Sequence, residues 1–250
     1  MLRTLDLAVR FGGHRAVDGV SCHFRQGEVT AIVGPNGAGK TTLFNLISGQ
    51  VRASAGRIEL LGEDITRLSV AARARRGIGR GFQQTSLFPN LTVRENVRLA
   101  VQARQRKGGR MLRRADADRK VLAAADSVLG QVRLAPQQHR LASELSHCNQ
   151  RKLDIAVLMA LEPRVFMFDE PTAGMSADEA PGVLDLIDGL RRDRNRCVLL
   201  VEHKLDVIRA LADRVVVLQD GRCVADGTPA MVMESAAVQA AYMGQELADG

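Results

Sequence analysis

The stretch Gly34 to Thr42, GPNGAGKTT, constrains this chain more than any other. Gly34, Gly37 and Gly39, with Pro35, Asn36 and Ala38 between them, allow a tight turn that brings backbone N–H groups close to a polyphosphate. A helix opening at Lys40 aims its positive end at the same charge. Lys40 then reaches the β and γ phosphates, and the hydroxyl of Thr41 ligates the Mg²⁺ that travels with the nucleotide, with Thr42 closing the motif. The apolar run Val29 to Val33 supplies the strand that must precede it. The plainer reading is a glycine-rich turn between strand and helix; the full GxxxxGK[ST] match in strand-to-helix context stands against it.

A second group of residues gains meaning from this loop. Val165 to Phe168 is a continuous apolar strand suited to a buried parallel sheet, and it delivers Asp169 and Glu170 at its C-terminal end. Two acids there are costly unless they address cations or water. The division of labour that suits a phosphate site places Asp169 in the Mg²⁺ shell and lets Glu170 orient or deprotonate the attacking water. A further apolar strand, Cys197 to Val201, ends in Glu202 and His203. A single histidine at a strand end is more often structural than catalytic. Beside a P-loop and an acidic strand end it is also a candidate γ-phosphate sensor.

With 250 residues, 46% hydrophobic and 25% charged, the chain can bury a good core, and disorder is not indicated. The formal net charge of +7 fits nucleic acid, an acidic membrane surface or a basic solvated face, and charge alone does not choose. Cys22, Cys148, Cys197 and Cys223 are scattered without a CxxC pair, which suggests neither a zinc site nor a disulfide framework and fits reduced cytosol. The opening MLRTLDLAVRF alternates polar and apolar residues, unlike a signal peptide, and no stretch is long and apolar enough to span a bilayer. Any membrane role is therefore expected to run through a partner.

The remaining segments read in order. Leu5, Leu7 and Val9 sit at strand spacing before the Gly12-Gly13 turn, and Val17 to Phe24 is a second strand. Phe11 is either a core or edge aromatic or a platform for an adenine ring. Thr41 to Ser48 has helical spacing with Gly49 as its stop, and Arg57 to Leu61 is a strand closed by Gly62. The basic stretch Arg73, Arg75, Arg76 and Arg80 leads to Gln83, which by itself is an ordinary loop residue. A helix is expected from Thr92. Arg98 to Lys120 is rich in arginine, and reads as a solvated helical arm or as a surface for anionic lipid. No aromatic residues lie among these arginines to stack bases, which speaks against single-stranded nucleic acid. Val121 to Val132 is an amphipathic helix. The polar turn Leu145 to Gln150 is expected to feed a helix with Leu153, Ala156, Val157, Ala160 and Leu161 on one face, ended by Glu162-Pro163. Arg214 to Gln219 and Arg222 to Ala225 form a hairpin about Asp220-Gly221, and Gly227-Thr228-Pro229 opens a helical tail.

In this order, the pieces resemble the ATP-binding subunit of an ABC transporter over nearly the whole chain. The resemblance implies an α/β fold: a RecA-like P-loop ATPase core with an antiparallel β subdomain and an inserted helical subdomain. One nucleotide-binding domain would span 1–250, with 1–90 and 163–250 as core and 91–162 helical. Phe11 becomes the adenine-stacking position, Gly34 to Thr42 the Walker A loop, Gln83 the Q-loop residue near nucleotide and Mg²⁺, and Leu145 to Gln150 the signature motif with Ser146 toward the nucleotide. Asp169-Glu170 becomes the Walker B end and His203 the switch histidine. Lys40, Glu170 and His203 carry catalysis, with ATP and Mg²⁺ as ligands. RFGG, GIGRGFQQTSLFPNLTVRENV, DEPTAGMS, VEHKLDVI and AAYMG look, more narrowly, like branched-chain amino acid uptake ATPases. Urea or short-chain amide importers, lipid exporters and soluble non-transport cassettes remain alternatives. The partners implied are membrane permeases, a second ABC ATPase packed head to tail and, indirectly, a substrate-binding protein, with no nucleic acid. The place implied is peripheral, on the cytoplasmic face of the cell membrane.

The sequence departs from the LSGGQ pattern of that family at His147, Cys148 and Asn149. A glycine at the fourth place would let the backbone approach a phosphate without a Cβ. Its loss is expected to weaken one of two composite sites and so to favour a related over an identical partner ATPase, and Cys148→Gly is expected to raise turnover. Ser176 stands where many family members carry aspartate.

Overall fold

The computed structural model describes residues 1–81, 87–105 and 119–234. The chain divides into two compact units. The first comprises Met1–Ile78, Arg164–Glu170 and the chain from Leu190 onward; the second comprises Gly79–Pro163 and Pro171–Gly189.

An antiparallel sheet begins the first unit. β1 (Leu2–Phe11) pairs with β2 (His14–Phe24) across the Gly12-Gly13 turn, in a register that sets Leu2 opposite Phe24 and Phe11 opposite His14. β1 also pairs with β4 (Ala55–Leu60), and β4 with β5 (Glu63–Asp64). The expected Leu5-Leu7-Val9 face needs a correction: Leu7 and Val9 are buried, but Leu5 is only half-buried and Thr4 takes the core position. The reason is an irregularity between Thr4 and Leu7, where Asp6 has φ of 46°, which shifts the two-residue alternation by one place.

The other sheet has strand order β10-β9-β3-β8-β7-β6. β3 (Val29–Val33), β7 (Val165–Asp169) and β8 (Cys197–Val201) are buried at every position and run parallel, β8 between β3 and β7. Strands covered on both faces have no reason to alternate, which explains their unbroken apolar sequences. β9 (Arg214–Gln219) lies parallel to β3 and turns through Asp220 and Gly221, both at positive φ, into β10 (Arg222–Gly227). β6 (Ile78–Gly81) is the edge strand. α1 (Lys40–Ser48) follows β3 and ends at Gly49 as expected; α2 (Val70–Arg76) is capped by Ser69. α7 (Leu205–Leu211) and α8 (Pro229–Met233), the latter capped by Thr228, complete the described part.

The second unit has a helical core. α3 (Val93–Arg104) starts with a reciprocal box in which Thr92 and Glu95 cap each other, so that the Glu95 carboxyl is held below its usual range by the Thr92 N–H and hydroxyl. α3, α4 (Arg119–Gln131) and α5 (His147–Ala160) bury Val97, Val101, Leu129, Leu153 and Ala156 against one another. Arg94 on α3 grips Asp126 on α4 through two hydrogen bonds, an interhelical tie, while residues 106–118 of the expected basic arm lie outside the described residues. α6 (Ala180–Leu190) follows the Pro171–Met175 turn. No helix among the described residues is long and apolar enough to cross a membrane.

Candidate nucleotide site

The loop between β3 and α1 lies in the first unit. Lys40 is buried at 7% exposure, and its ammonium donates to the carbonyls of Gly34 at 2.7 Å and Pro35 at 2.9 Å. Burial pushes the Lys40 pKa down, and the facing charges of Glu170 and Asp169 push it back up. Two glycines are required by what surrounds them. A Cβ on Gly34 (φ 145°) would lie 2.0 Å from the Leu218 carbonyl oxygen, and one on Gly39 (φ 97°) 2.3 Å from that of Ala16. Both contacts are with backbone, which cannot swing aside, so the loop is closed around bare main chain.

The loop forms the floor of a cleft of about 390 Å³, within the range of small-molecule sites. Phe11, His14, Asn36, Thr41, Glu170 and His203 line its sides. Phe11 is 52% exposed, so the core reading of this aromatic is wrong and its ring is a free face at the cleft. His14 was not anticipated. Its signal was the two-residue Gly12-Gly13 turn, which sets His14 directly opposite Phe11 across the hairpin.

Glu170 follows β7 with φ of 48°, a left-handed conformation uncommon for a non-glycine residue, while its N–H donates to Val201 on the neighbouring β8. That backbone turn carries the carboxylate to His203 just past β8, with Glu170 Oε1 and His203 Nε2 2.9 Å apart. The His203 N–H in turn donates to Glu202 at 2.8 Å. Asp169, at 6% exposure, closes β7 beside Glu170. Lys40, Thr41, Glu170 and His203 therefore share one cleft with Phe11.

Ser146 lies in the second unit, exposed, as the N-cap of α5, its hydroxyl accepting from the Asn149 N–H at 3.4 Å. Gln83 lies outside the described residues, as does the AAYMG segment. The sequence reading of the segment around Ser146 needs two corrections. His147, Cys148 and Asn149 are the first turn of the helix rather than a polar loop before it. Cys148 has no positive φ, is 7% exposed, and directs its Sγ at the Glu179 carbonyl at 3.9 Å. A side chain packed inward from an ordinary helical backbone does not need glycine's conformational range and does not stand in the way of a ligand on the outer face. Cys148→Gly is accordingly expected to remove packing and helix propensity, lowering stability by about 1–2 kcal/mol without raising turnover. Thermal unfolding alongside phosphate release checks both parts.

A glycine cradle on a parallel strand, a buried lysine and an acidic strand end define a P-loop nucleotide-binding protein. Residues 17–173 match the family model described as ABC transporter. The chain is 36% identical, over 98% of both chains, to the high-affinity branched-chain amino acid transport ATP-binding protein BraF of Pseudomonas aeruginosa. It shares the same identity and coverage with the corresponding protein LivG of Salmonella typhimurium. Among solved structures it resembles the ADP conformation of MJ1267, an ATP-binding cassette of an ABC transporter, with TM-score 0.86 and 29% identity over 98% of both chains. The chain belongs to the ABC transporter family, and it is an ATP-hydrolysing cassette of that family.

Proposed function

We propose that this protein is the motor subunit of an importer for branched-chain amino acids. The observation that carries the reading is the cleft in which Lys40, Thr41, Glu170 and His203 meet, in a chain that aligns along 98% of its length with BraF and LivG. Phe11 stacks the adenine ring, and the N–H groups of Gly34 to Thr42 hold the phosphates with Lys40. Glu170 accepts the proton of the attacking water, and His203, which contacts Glu170 at 2.9 Å, holds that carboxylate in position and donates toward the terminal phosphate. The donor set suits Mg²⁺: a hydroxyl at Thr41 and a carboxylate at Asp169 are hard oxygens that would hold it, and the family resemblance adds Gln83, which lies outside the described residues. When bound, the metal neutralises charge on the phosphate oxygens.

The helical segment 91–162 is the subdomain that carries Ser146 toward the nucleotide of a second ATPase in a head-to-tail pair. The exposed His147 and the partly exposed Asn149, standing where the family pattern has other residues, favour a related partner over an identical copy. Permease subunits hold the pair at the cytoplasmic face of the membrane, and a separate binding protein supplies substrate. ATP closes the pair and hydrolysis reopens it, a shift between two populations.

Lys40→Ala tests the reading in cells that depend on this protein, with labelled leucine and labelled urea as parallel tracers. Removing the lysine of the phosphate site is expected to abolish leucine uptake and leave urea uptake unchanged. Loss of urea uptake alone would move the protein to a urea importer, and loss of neither would overturn the branched-chain substrate.

A further inference from the structure

β2 and β10 belong to different sheets, yet two polar clasps hold them side by side. At one end Asp18 accepts from Arg222 at 2.7 Å, while the Asp18 N–H donates to the Gly221 carbonyl at 2.8 Å. At the other, Arg214 donates both to the His23 carbonyl on β2 and to the Asp226 carboxylate on β10. Cys22 and Cys223 stand between the clasps. Cys22 is 5% exposed; Cys223 is partly exposed and packs against the core cluster that contains Cys22. Both are free thiols, each the largest influence on the other's ionisation, and the Cys223 thiol donates to the Ala225 carbonyl at 3.5 Å.

We propose that Cys22 and Cys223 form a thiol pair that hydroperoxides oxidise to a disulfide, and that this bond weakens nucleotide binding at the neighbouring P-loop. The pair is chemically unequal in the way such a reaction needs. The neighbouring Cys223 thiol, reinforced by burial, raises the Cys22 pKa, whereas the neighbouring Cys22 thiol lowers that of Cys223. Cys223, the more accessible sulfur, is thus the readier thiolate. Its thiolate attacks one peroxide oxygen; the O–O bond breaks, Cys223 becomes a sulfenic acid, and the leaving hydroxide takes up a proton as water. The Cys22 sulfur then attacks the sulfenic sulfur, forming the S–S bond and releasing the second water as its own proton is taken up. Two thiols and one hydrogen peroxide give one disulfide and two waters.

The link to the P-loop is short. Gly221, two residues before Cys223, donates its N–H to the Ala38 carbonyl at 3.2 Å. The Ala16 carbonyl on β2 packs against both Gly39 and Gly221. A disulfide brings two sulfurs to about 2.05 Å, closer than two unbonded thiols approach, so its formation draws β10 onto β2 and shifts Gly221 against Ala38. Misplacing one phosphate-binding N–H by this route is expected to weaken ATP binding by about five- to tenfold.

The full chain, reduced and then treated with hydrogen peroxide, has its remaining thiols blocked and is digested with trypsin without reduction. Cleavage at Arg15, Arg25 and Arg222 puts Cys22 and Cys223 on separate peptides. A linked peptide of residues 16–25 with 223–250, released by dithiothreitol, is the expected product. Fluorescent ATP-analogue titration should show weaker binding after peroxide, restored by dithiothreitol, and Cys223→Ser should keep its affinity under the same treatment. Sulfinic acid at Cys223 without the linked peptide would overturn the pair. The linked peptide with unchanged affinity would overturn its coupling to the nucleotide.

Discussion

Glu170→Gln is expected to lower ATP turnover by about 100- to 10,000-fold while ATP binding persists, the range for loss of a positioned general base. Glutamine keeps the length of the side chain and an oxygen able to accept from the His203 Nε2 that lies 2.9 Å from Glu170, so the geometry of the pair is retained. What it loses is the capacity to take a proton from water. Lys40 also loses a facing negative charge, which favours rather than opposes polyphosphate binding. Phosphate release in the assembled transporter reports turnover, and ATP-analogue titration reports binding. A drop of less than about tenfold in turnover would remove Glu170 from the role of base. His203→Ala in the same assays separates support from chemistry: a positioning histidine should cost turnover in the wild type and almost nothing when Glu170 is already Gln.

The site was legible because its chemistry is local in sequence. The P-loop is a run of consecutive residues, and Asp169, Glu170 and His203 each follow an apolar strand that announces where it ends. His14 was missed, although Phe11 and His14 are joined by a tight turn and face each other on paired strands. The start of α5 was misplaced because His147, Cys148 and Asn149 have weak helix preference. The Ser146 cap and the burial of Cys148 decide the matter in the folded chain. Proximity between distant residues carries no such local signal. Cys22 and Cys223 look unrelated until two sheets bring them together, and nothing in a basic stretch reveals which arginine turns inward.

Arg73 is that arginine, and Arg73→Met is expected to destabilise the protein by about 3–5 kcal/mol, near the upper end for a single substitution. The sequence placed it with Arg75, Arg76 and Arg80 in one basic stretch, yet it is 2% exposed. Its guanidinium donates to four carbonyls: Leu68 at 3.1 Å, Thr66 at 2.6 Å, Ile47 at 2.8 Å, and Leu46. Leu46 and Ile47 lie in the last turn of α1, where carbonyls lack the usual four-residue helical partner, only the Gly49 N–H of the cap reaching that of Leu46, and the helix end carries partial negative charge. Arg73 thus anchors the end of α1 opposite the phosphate loop, and its cation is matched to a helix terminus rather than to a carboxylate. Burial lowers its pKa and Asp64 raises it again, without bringing it near neutrality in ordinary buffers. Methionine fills much of the same volume but takes the arginine's donors from those carbonyls, of which that of Leu46 keeps the Gly49 N–H at 3.2 Å, and relief from burying the charge offsets only part of that cost. Lysine supplies one ammonium where a planar fork spans diverging acceptors, so Arg73→Lys should fall between the two. Denaturant unfolding measures the difference, and a loss below about 1 kcal/mol for Arg73→Met would show that water satisfies the carbonyls as well as the arginine does.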